Sequence, residues 1–144
     1  MMNDLFLVTI RADRTQENGA SANVTEQYLI KAASFTAAED VAMAEAAGDT
    51  EAEILRITRP KVAEVFEGAG EKFYRVKITI TTLDEKTGAD KKSTQAYLVR
   101  ENTLDGAIHE FTAAIRGTLS DWEFSSVNET KIVGYYESKI ITGE

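Results

Sequence analysis

The chain has 144 residues, 43% of them apolar and 8% aromatic, and a formal net charge of −8. This length buries enough surface for a core without covalent staples, and the absence of cysteine excludes disulfides, thiolate metal sites and cysteine nucleophiles. The acidic charge argues against a generic duplex-DNA binder, which carries a net basic face. Since no secretory segment or 18-residue apolar run is present, we expect a cytoplasmic protein with no membrane partner.

The first predicted elements are two strands joined by a tight turn. Residues 5–12 are rich in large apolar and β-branched types, and residues 24–32 resume an extended pattern. Asn18 and Gly19, which lie between them, form a dipeptide that strongly favours a two-residue hairpin turn. The pattern therefore predicts a β-hairpin.

A helix and a long strand are predicted next. Thr36 begins a T-x-x-E capping box, the alanine-rich residues 37–47 favour a helix, and Gly48 favours its end. Residues 53–67 then predict a third strand. Pro60 has no amide to donate, so we expect it at an edge or a bend.

The second half repeats this order after a glycine-containing linker at residues 68–72. Residues 73–82 alternate apolar and polar side chains, which predicts a strand with one buried face. A loop containing Gly88 and a returning strand at residues 94–100 complete the second hairpin.

The second helix is predicted over residues 106–116. Asp105 is placed to cap it, its apolar side chains have the spacing of an amphipathic helix, and Gly117 favours its end. Residues 122–136 then predict the third strand of this half.

A repeated stretch links the two halves. Residues 24–36 and 93–105 share a threonine followed by Tyr-Leu at the same positions, 69 residues apart, and each stretch leads into a helix. We interpret this as a tandem duplication of a ββαβ unit, with repeats at residues 1–68 and 69–144 of one compact domain. The predicted fold is α+β with pseudo-two-fold symmetry, an antiparallel sheet and two helices packed on it. The pattern leaves open whether the halves share one sheet or form two.

Catalytic and metal-binding patterns are weak. A single histidine, His109, cannot form a histidine-rich zinc site, and a Ser/His/Asp arrangement using the nearby Asp105 competes with a structural or surface role on an ordinary helix. Residues 84–90 resemble a calcium loop only superficially, because the carboxylate spacing is wrong. We therefore expect a non-enzymatic protein with no catalytic residue, metal or cofactor.

Basic and aromatic residues on predicted strands are the best candidates for ligand binding. A strand surface that combines cations with aromatic rings is how single-stranded nucleic acid or a nucleotide is held on a sheet. The alternative is that the cations protect strand edges against aggregation and that the tyrosines are half-buried in the core. The candidate ligand-binding residues are Arg56, Arg59, Lys61, Arg75, Lys77 and Tyr136.

Several stretches carry a family resemblance. They are Val-Thr-Glu-Gln-Tyr-Leu-Ile at residues 24–30, Leu-Asp-Glu-Lys-Thr-Gly-Ala at residues 83–89 and Val-Asn-Glu-Thr-Lys-Ile at residues 127–132. The chain resembles, over almost its whole length, a domain of unknown function found in Bacteroidetes, their mobile elements and their phages. The resemblance implies a bacterial-host cytoplasm and brings no assigned activity or site residue.

Three functional hypotheses follow. The first is a phage or mobile-element protein that binds a nucleotide-type ligand, either a small signalling nucleotide or single-stranded nucleic acid, and sequesters it, most simply in a homo-oligomer. The second is a protein-interaction module that inhibits a host protein, with the acidic charge steering it to a basic partner. The third is a hydrolase built from the scattered carboxylates.

Overall fold

The structure is a computed structural model that describes residues 4–47, 52–119 and 121–138. They form an α+β architecture of two helices and two four-stranded sheets. In chain order the elements are β1 (Asp4–Thr15), β2 (Ser21–Ala32), α1 (Phe35–Ala47), β3 (Ala52–Thr58), β4 (Glu64–Glu67), β5 (Lys72–Leu83), β6 (Asp90–Glu101), α2 (Leu104–Ile115), β7 (Trp122–Glu129) and β8 (Ile132–Glu137).

The chain divides into two compact units. The first unit holds the described residues up to Pro60 and those from Lys131 onward, and the second unit holds Lys61–Thr130. The sheet of the first unit has the strand order β3-β1-β2-β8, and that of the second has β4-β6-β5-β7. In both, a central antiparallel hairpin pairs with one antiparallel strand and with one parallel strand.

Helix α1 covers one face of the first sheet. The side chains of β1 that point to α1 alternate with more exposed ones, as the two-residue period of a strand requires, except at Thr9, which is buried on the other face. Because α1 contributes only alanines to the buried set, the larger buried side chains come from the strands. The buried set is Phe6, Val8, Ile10, Ala12, Tyr28, Ile30, Ala32, Ala37, Ala38 and Ala42.

Helix α2 covers one face of the second sheet with larger side chains. Phe111 is fully buried and lies among the rings of four other aromatic residues. Those four are Phe66, Tyr97, Trp122 and Phe124. The predicted alternation of β5, with Tyr74, Val76 and Ile78 on the buried face, is confirmed.

The predicted extent of the third strand is wrong in both halves. Residues 53–67 contain two strands, β3 and β4, which belong to different sheets and are separated around Pro60, where the backbone has no amide donor. Residues 122–136 likewise contain β7 and most of β8, again in different sheets. The fourth strand of each half is therefore the parallel edge strand of the other sheet, so neither sheet is purely antiparallel.

Both helices begin two residues earlier than predicted. The Ser34 hydroxyl accepts a hydrogen bond from the amide of Ala37 at 3.1 Å, and the Thr103 hydroxyl accepts one from Gly106 at 2.9 Å. These hydroxyls cap free amides of the first turn, so Thr36 and Asp105 lie inside the helices instead of before them.

The predicted glycine positions agree with the structure where it describes them. Gly19 and Gly88 lie in the two hairpin turns with φ of 83° and 72°, and Gly117 follows α2 with φ of 80°. The predicted helix stop at Gly48 and the chain after Ser138 lie outside the described residues. The division into repeats at residues 68 and 69, and the duplication behind it, stay predictions.

Candidate functional site

The strongest candidate site is the face of the second sheet that lies opposite α2, which we call the basic face. Successive strand residues point to opposite faces, so the burial of Tyr74, Val76 and Ile78 against α2 places Arg75 and Lys77 on the basic face. Both cations are exposed. The alternation in the sequence predicted this placement.

The residues across from these cations are neutral. On β7, Asn128 is opposite Arg75 and Ser126 is opposite Lys77, and on β6 the corresponding positions hold Leu98 and Ala96. Within the described part of the chain, neither Arg75 nor Lys77 forms an ion pair with a carboxylate. Leu98 and Ala96 are buried although they share this face, so an anionic ligand would reach the two exposed cations from the β7 side.

A β-bulge adds a hydroxyl group to the basic face. The register between β5 and β7 shifts between Lys77 and Ile78, which leaves Ser125 as an extra residue on β7. The Ser125 hydroxyl lies 2.7 Å from the Thr79 hydroxyl. Since Thr79 shares the face of Lys77, the bulge places hydrogen-bonding groups beside the cations.

Comparison with known proteins assigns the chain to a family. The family model described as "Domain of unknown function (DUF4494)" matches residues 4–138. The chain belongs to the DUF4494 family. No curated protein and no solved structure matches it.

The other predicted cations of this DUF4494 chain are divided between its two units. Arg56 is exposed on β3, opposite Thr9. The Arg59 guanidinium lies 2.9 Å from the Asp4 carboxylate and 5.9 Å from the centre of the Phe6 ring, so its charge is partly neutralised. Lys61 is exposed and precedes β4 in the second unit. The structure thus joins Arg75 and Lys77 on one face but places Arg56 and Arg59 in the first unit.

The tyrosines do not line the basic face of the second unit. Tyr136, the predicted aromatic ligand contact, lies on β8 with its ring centre 5.8 Å from that of the buried Tyr28. Strands β3 and β8 are the two edges of the first sheet, roughly 14 Å apart over three strand spacings, so Tyr136 is not beside Arg56. Tyr97 is buried toward α2, on the opposite side of the second sheet from Lys77.

One polar cluster was not predicted from the sequence. Two guanidinium nitrogens of Arg14 donate to the Glu26 carboxylate at 2.8 and 3.3 Å, and the Tyr28 hydroxyl donates to the same carboxylate at 3.3 Å. The hydrogen bond to Glu26 raises the pKa of Arg14, and burial, with the Glu26 charge second, raises the pKa of Tyr28. The hairpin turn at Asn18 and Gly19 could have predicted this cluster, because the register that it sets brings both charged residues to the helix side of the sheet.

The other chemical candidates stay isolated. His109 is exposed on α2 and forms no hydrogen bond with Asp105. Across the described ranges, no group of three or more histidine or carboxylate side chains is placed to hold a metal ion. In the same ranges neither helix is long and apolar enough to cross a membrane.

Proposed function

We propose that this DUF4494 protein is a non-enzymatic binding protein for a nucleotide-type ligand, and that the basic face is its binding surface. The observation that supports this proposal is the pair of exposed cations, Arg75 and Lys77, with amide and hydroxyl groups opposite them. Cations on a strand hold phosphate groups, and polar neighbours orient them. The proposed setting is the cytoplasm of a bacterial host, with the protein encoded by a phage or mobile element.

The first sheet provides an internal contrast. Strand β1 occupies in its sheet the place that β5 occupies in the second. At the matching register positions it carries Leu7 and Thr9, and Thr9 is buried. We infer that the two halves arose by duplication of one unit and that only the second copy acquired two cations at these positions of its central strand. A pair of charges that is not needed for the common fold is a reasonable candidate for binding.

The number of cations limits the ligand. A protein that neutralises two phosphates of a single strand should lose affinity with a slope of about −1.4 in a plot of log K against log salt. The net charge of −8 repels a long polyanion beyond the local contacts. The proposed ligand is therefore a small nucleotide or a short single-stranded segment, which the protein sequesters.

The test compares two double variants of equal charge. Arg75→Gln with Lys77→Gln removes both cations from the basic face, while Lys86→Gln with Lys91→Gln removes two exposed cations from the hairpin end of the same unit. Titrations at low salt would use ribonucleoside triphosphates, a cyclic dinucleotide and a single-stranded oligonucleotide of six nucleotides. We expect the first variant to bind at least tenfold more weakly and the second to bind like the unmodified protein.

Two results would contradict the proposal. If no probe binds the unmodified protein at low salt, the ligand class is wrong and inhibition of a host protein becomes the better hypothesis. If both double variants lose affinity equally, binding follows net charge and the basic face is not the site.

A further inference from the structure

The basic face has two chemically different ends. Side chains that share a face of a strand are spaced at about 7 Å, so Arg75, Lys77 and Thr79 form a row along β5. The first two are cations, whereas Thr79 lies opposite Glu123 and beside the Ser125 hydroxyl. The row therefore runs from positive charge to a carboxylate with two hydroxyls.

Glu123 differs from the carboxylate at the matching place in the first sheet. There Glu53 is opposite Arg11, and their side chains form an ion pair with a separation of 3.5 Å. In the second sheet the residue opposite Glu123 is the neutral Thr79. Glu123 is exposed and, within the described residues, forms no ion pair, so its oxygens are available to donors from a ligand.

The bulge residue is also more polar in the second sheet than in the first. Both sheets have a register shift next to this position, and the extra residue is Leu55 on β3 and Ser125 on β7. Ser125 replaces an apolar group by a hydroxyl that can both donate and accept. Two independent differences between the sheets, at Glu123 and at Ser125, thus place sugar-binding chemistry beside Lys77.

A ribonucleotide matches this order of groups. Its phosphate carries negative charge, which favours the cations and is repelled by Glu123. Its 2′-hydroxyl can donate to a carboxylate, the interaction by which acidic side chains recognise ribose in dinucleotide-binding folds. The 2′-hydroxyl is also the group by which proteins distinguish RNA from DNA at a site. Lys77 and Glu123 are diagonal neighbours on adjacent strands, about 7–8 Å apart, which is comparable to the reach from a phosphate to a sugar hydroxyl in one nucleotide.

We propose that the ligand of the basic face is a ribonucleotide, with Arg75 and Lys77 on its phosphate and with Glu123 and Ser125 on its 2′-hydroxyl. This inference rests on the proposed function, and it adds a sugar preference and two specificity-determining residues. The occupant is a free ribonucleotide, because two cations suit the phosphates of one nucleotide and the net charge of −8 repels a longer polyanion.

The test measures the ratio of affinities for ribonucleoside triphosphates and their 2′-deoxy counterparts by calorimetric titration at low salt. We expect the unmodified protein to bind the ribonucleotides roughly tenfold more tightly, because a hydrogen bond to a charged group is lost with the hydroxyl. Glu123→Ala and Ser125→Ala should reduce this ratio toward one. Removing the Glu123 charge should leave deoxynucleotide affinity equal or higher, since one source of repulsion for the phosphates is gone.

Glu129→Ala is the matched control, because Glu129 lies on the same strand but opposite Tyr74, on the α2 side of the sheet. It should keep the tenfold ratio. Equal affinity of the unmodified protein for both sugars would overturn the ribose inference while leaving the proposed function in place. No binding of either sugar, with the protein folded, would overturn both, and an equal loss for both sugars in Glu123→Ala would assign Glu123 a structural role.

Discussion

Ala42 and Phe111 are both the eighth residue of their helix, and both are fully buried, yet they differ by a whole aromatic ring. The difference extends to the neighbouring edge strands. Where β3 places Ala52 and Ile54 opposite β1, β7 places Trp122 and Phe124 opposite the corresponding residues of β5. One arrangement of strands thus accepts either a core of small helix side chains or a large aromatic cluster, provided each core is filled by its own residues.

The polar residues beside the helices differ as well. In the first unit the hydroxyl of Tyr28 donates to Glu26, which is paired with Arg14. In the second unit the hydroxyl of Tyr97 donates to the neutral side chain of Gln95 at 2.7 Å. The helix-side tyrosine of the first unit is therefore joined to a charged pair, and that of the second unit to a neutral amide. Exposed cations occur on the opposite face of both sheets, but only in the second do two of them, Arg75 and Lys77, lie together on one strand.

The largest expected effect tests the aromatic core. Phe111→Ala should destabilise the protein by about 3–5 kcal/mol, because it removes a fully buried ring and leaves a cavity between Tyr97 and Trp122. The measurement is urea unfolding followed by Trp122 fluorescence. Met43→Ala, at a half-exposed position of α1, should stay within about 0.5 kcal/mol. A loss below about 1 kcal/mol for Phe111→Ala would show that the two cores do not differ in the way described.

A smaller effect tests the edge strand of the first sheet. A Cβ at Gly134 would lie 2.7–3.0 Å from two ring carbons and the hydroxyl oxygen of Tyr136, so Gly134→Ala should displace this ring from Tyr28 at a cost of about 1 kcal/mol. Glu64 occupies the matching place in the second sheet, opposite Tyr97 as Gly134 is opposite Tyr28. Because Glu64 is exposed, Glu64→Ala should change the free energy of unfolding little.

A double-mutant cycle separates the ring contact from the strand preference of alanine. In a Tyr136→Ala background, Gly134→Ala should cost nothing, because the displaced ring is absent. If Gly134→Ala costs the same in both backgrounds, the glycine is needed for the backbone and not for Tyr136.

The smallest effect concerns alkaline stability. Burial is the main cause that raises the pKa of both Tyr28 and Tyr97 above the ordinary 10.0, with Glu26 the next cause for Tyr28 and Glu64 for Tyr97. When the pKa of a tyrosine is higher in the folded than in the unfolded chain, its contribution to stability is fully present at pH values below the unfolded-state pKa. This contribution is lost as the pH rises through the folded-state pKa. Stability should therefore fall above pH 10.

Two tyrosine substitutions assign this loss to the two units, and a third substitution tests its cause in the first unit. Tyr28→Phe and Tyr97→Phe should each reduce the decrease in unfolding free energy above pH 10. Glu26→Gln should reduce only the part of this decrease that comes from Tyr28. Unfolding free energies would be measured from pH 7 to pH 11, with the pH 7 values as the reference for each variant. An unchanged alkaline slope in both phenylalanine variants would contradict the assignment.

Local chemistry in the sequence was enough to predict much of the secondary structure. Asn18-Gly19 and Gly88 marked the hairpin turns, Gly117 marked a helix end, and the alternation over residues 73–82 identified the buried and exposed faces of β5. The same alternation placed Arg75 and Lys77 together. These features were predictable because turn conformations and strand faces depend on residues that are neighbours in the chain.

Other features depended on partners that are distant in the chain. Nothing local required β4 and β8 to join different sheets from β3 and β7, since a parallel edge strand is chosen by the sheet that accepts it. The separation of Tyr136 from Arg56 followed from that pairing, and the position of Glu123 opposite Thr79 followed from the register of β7 on β5. The sequence by itself determined the hairpin turns, the presence of both helices and the two faces of β5. Only the tertiary structure decided which strands are neighbours, and hence which side chains can act on one ligand, because register is set by hydrogen bonds between residues far apart in the chain.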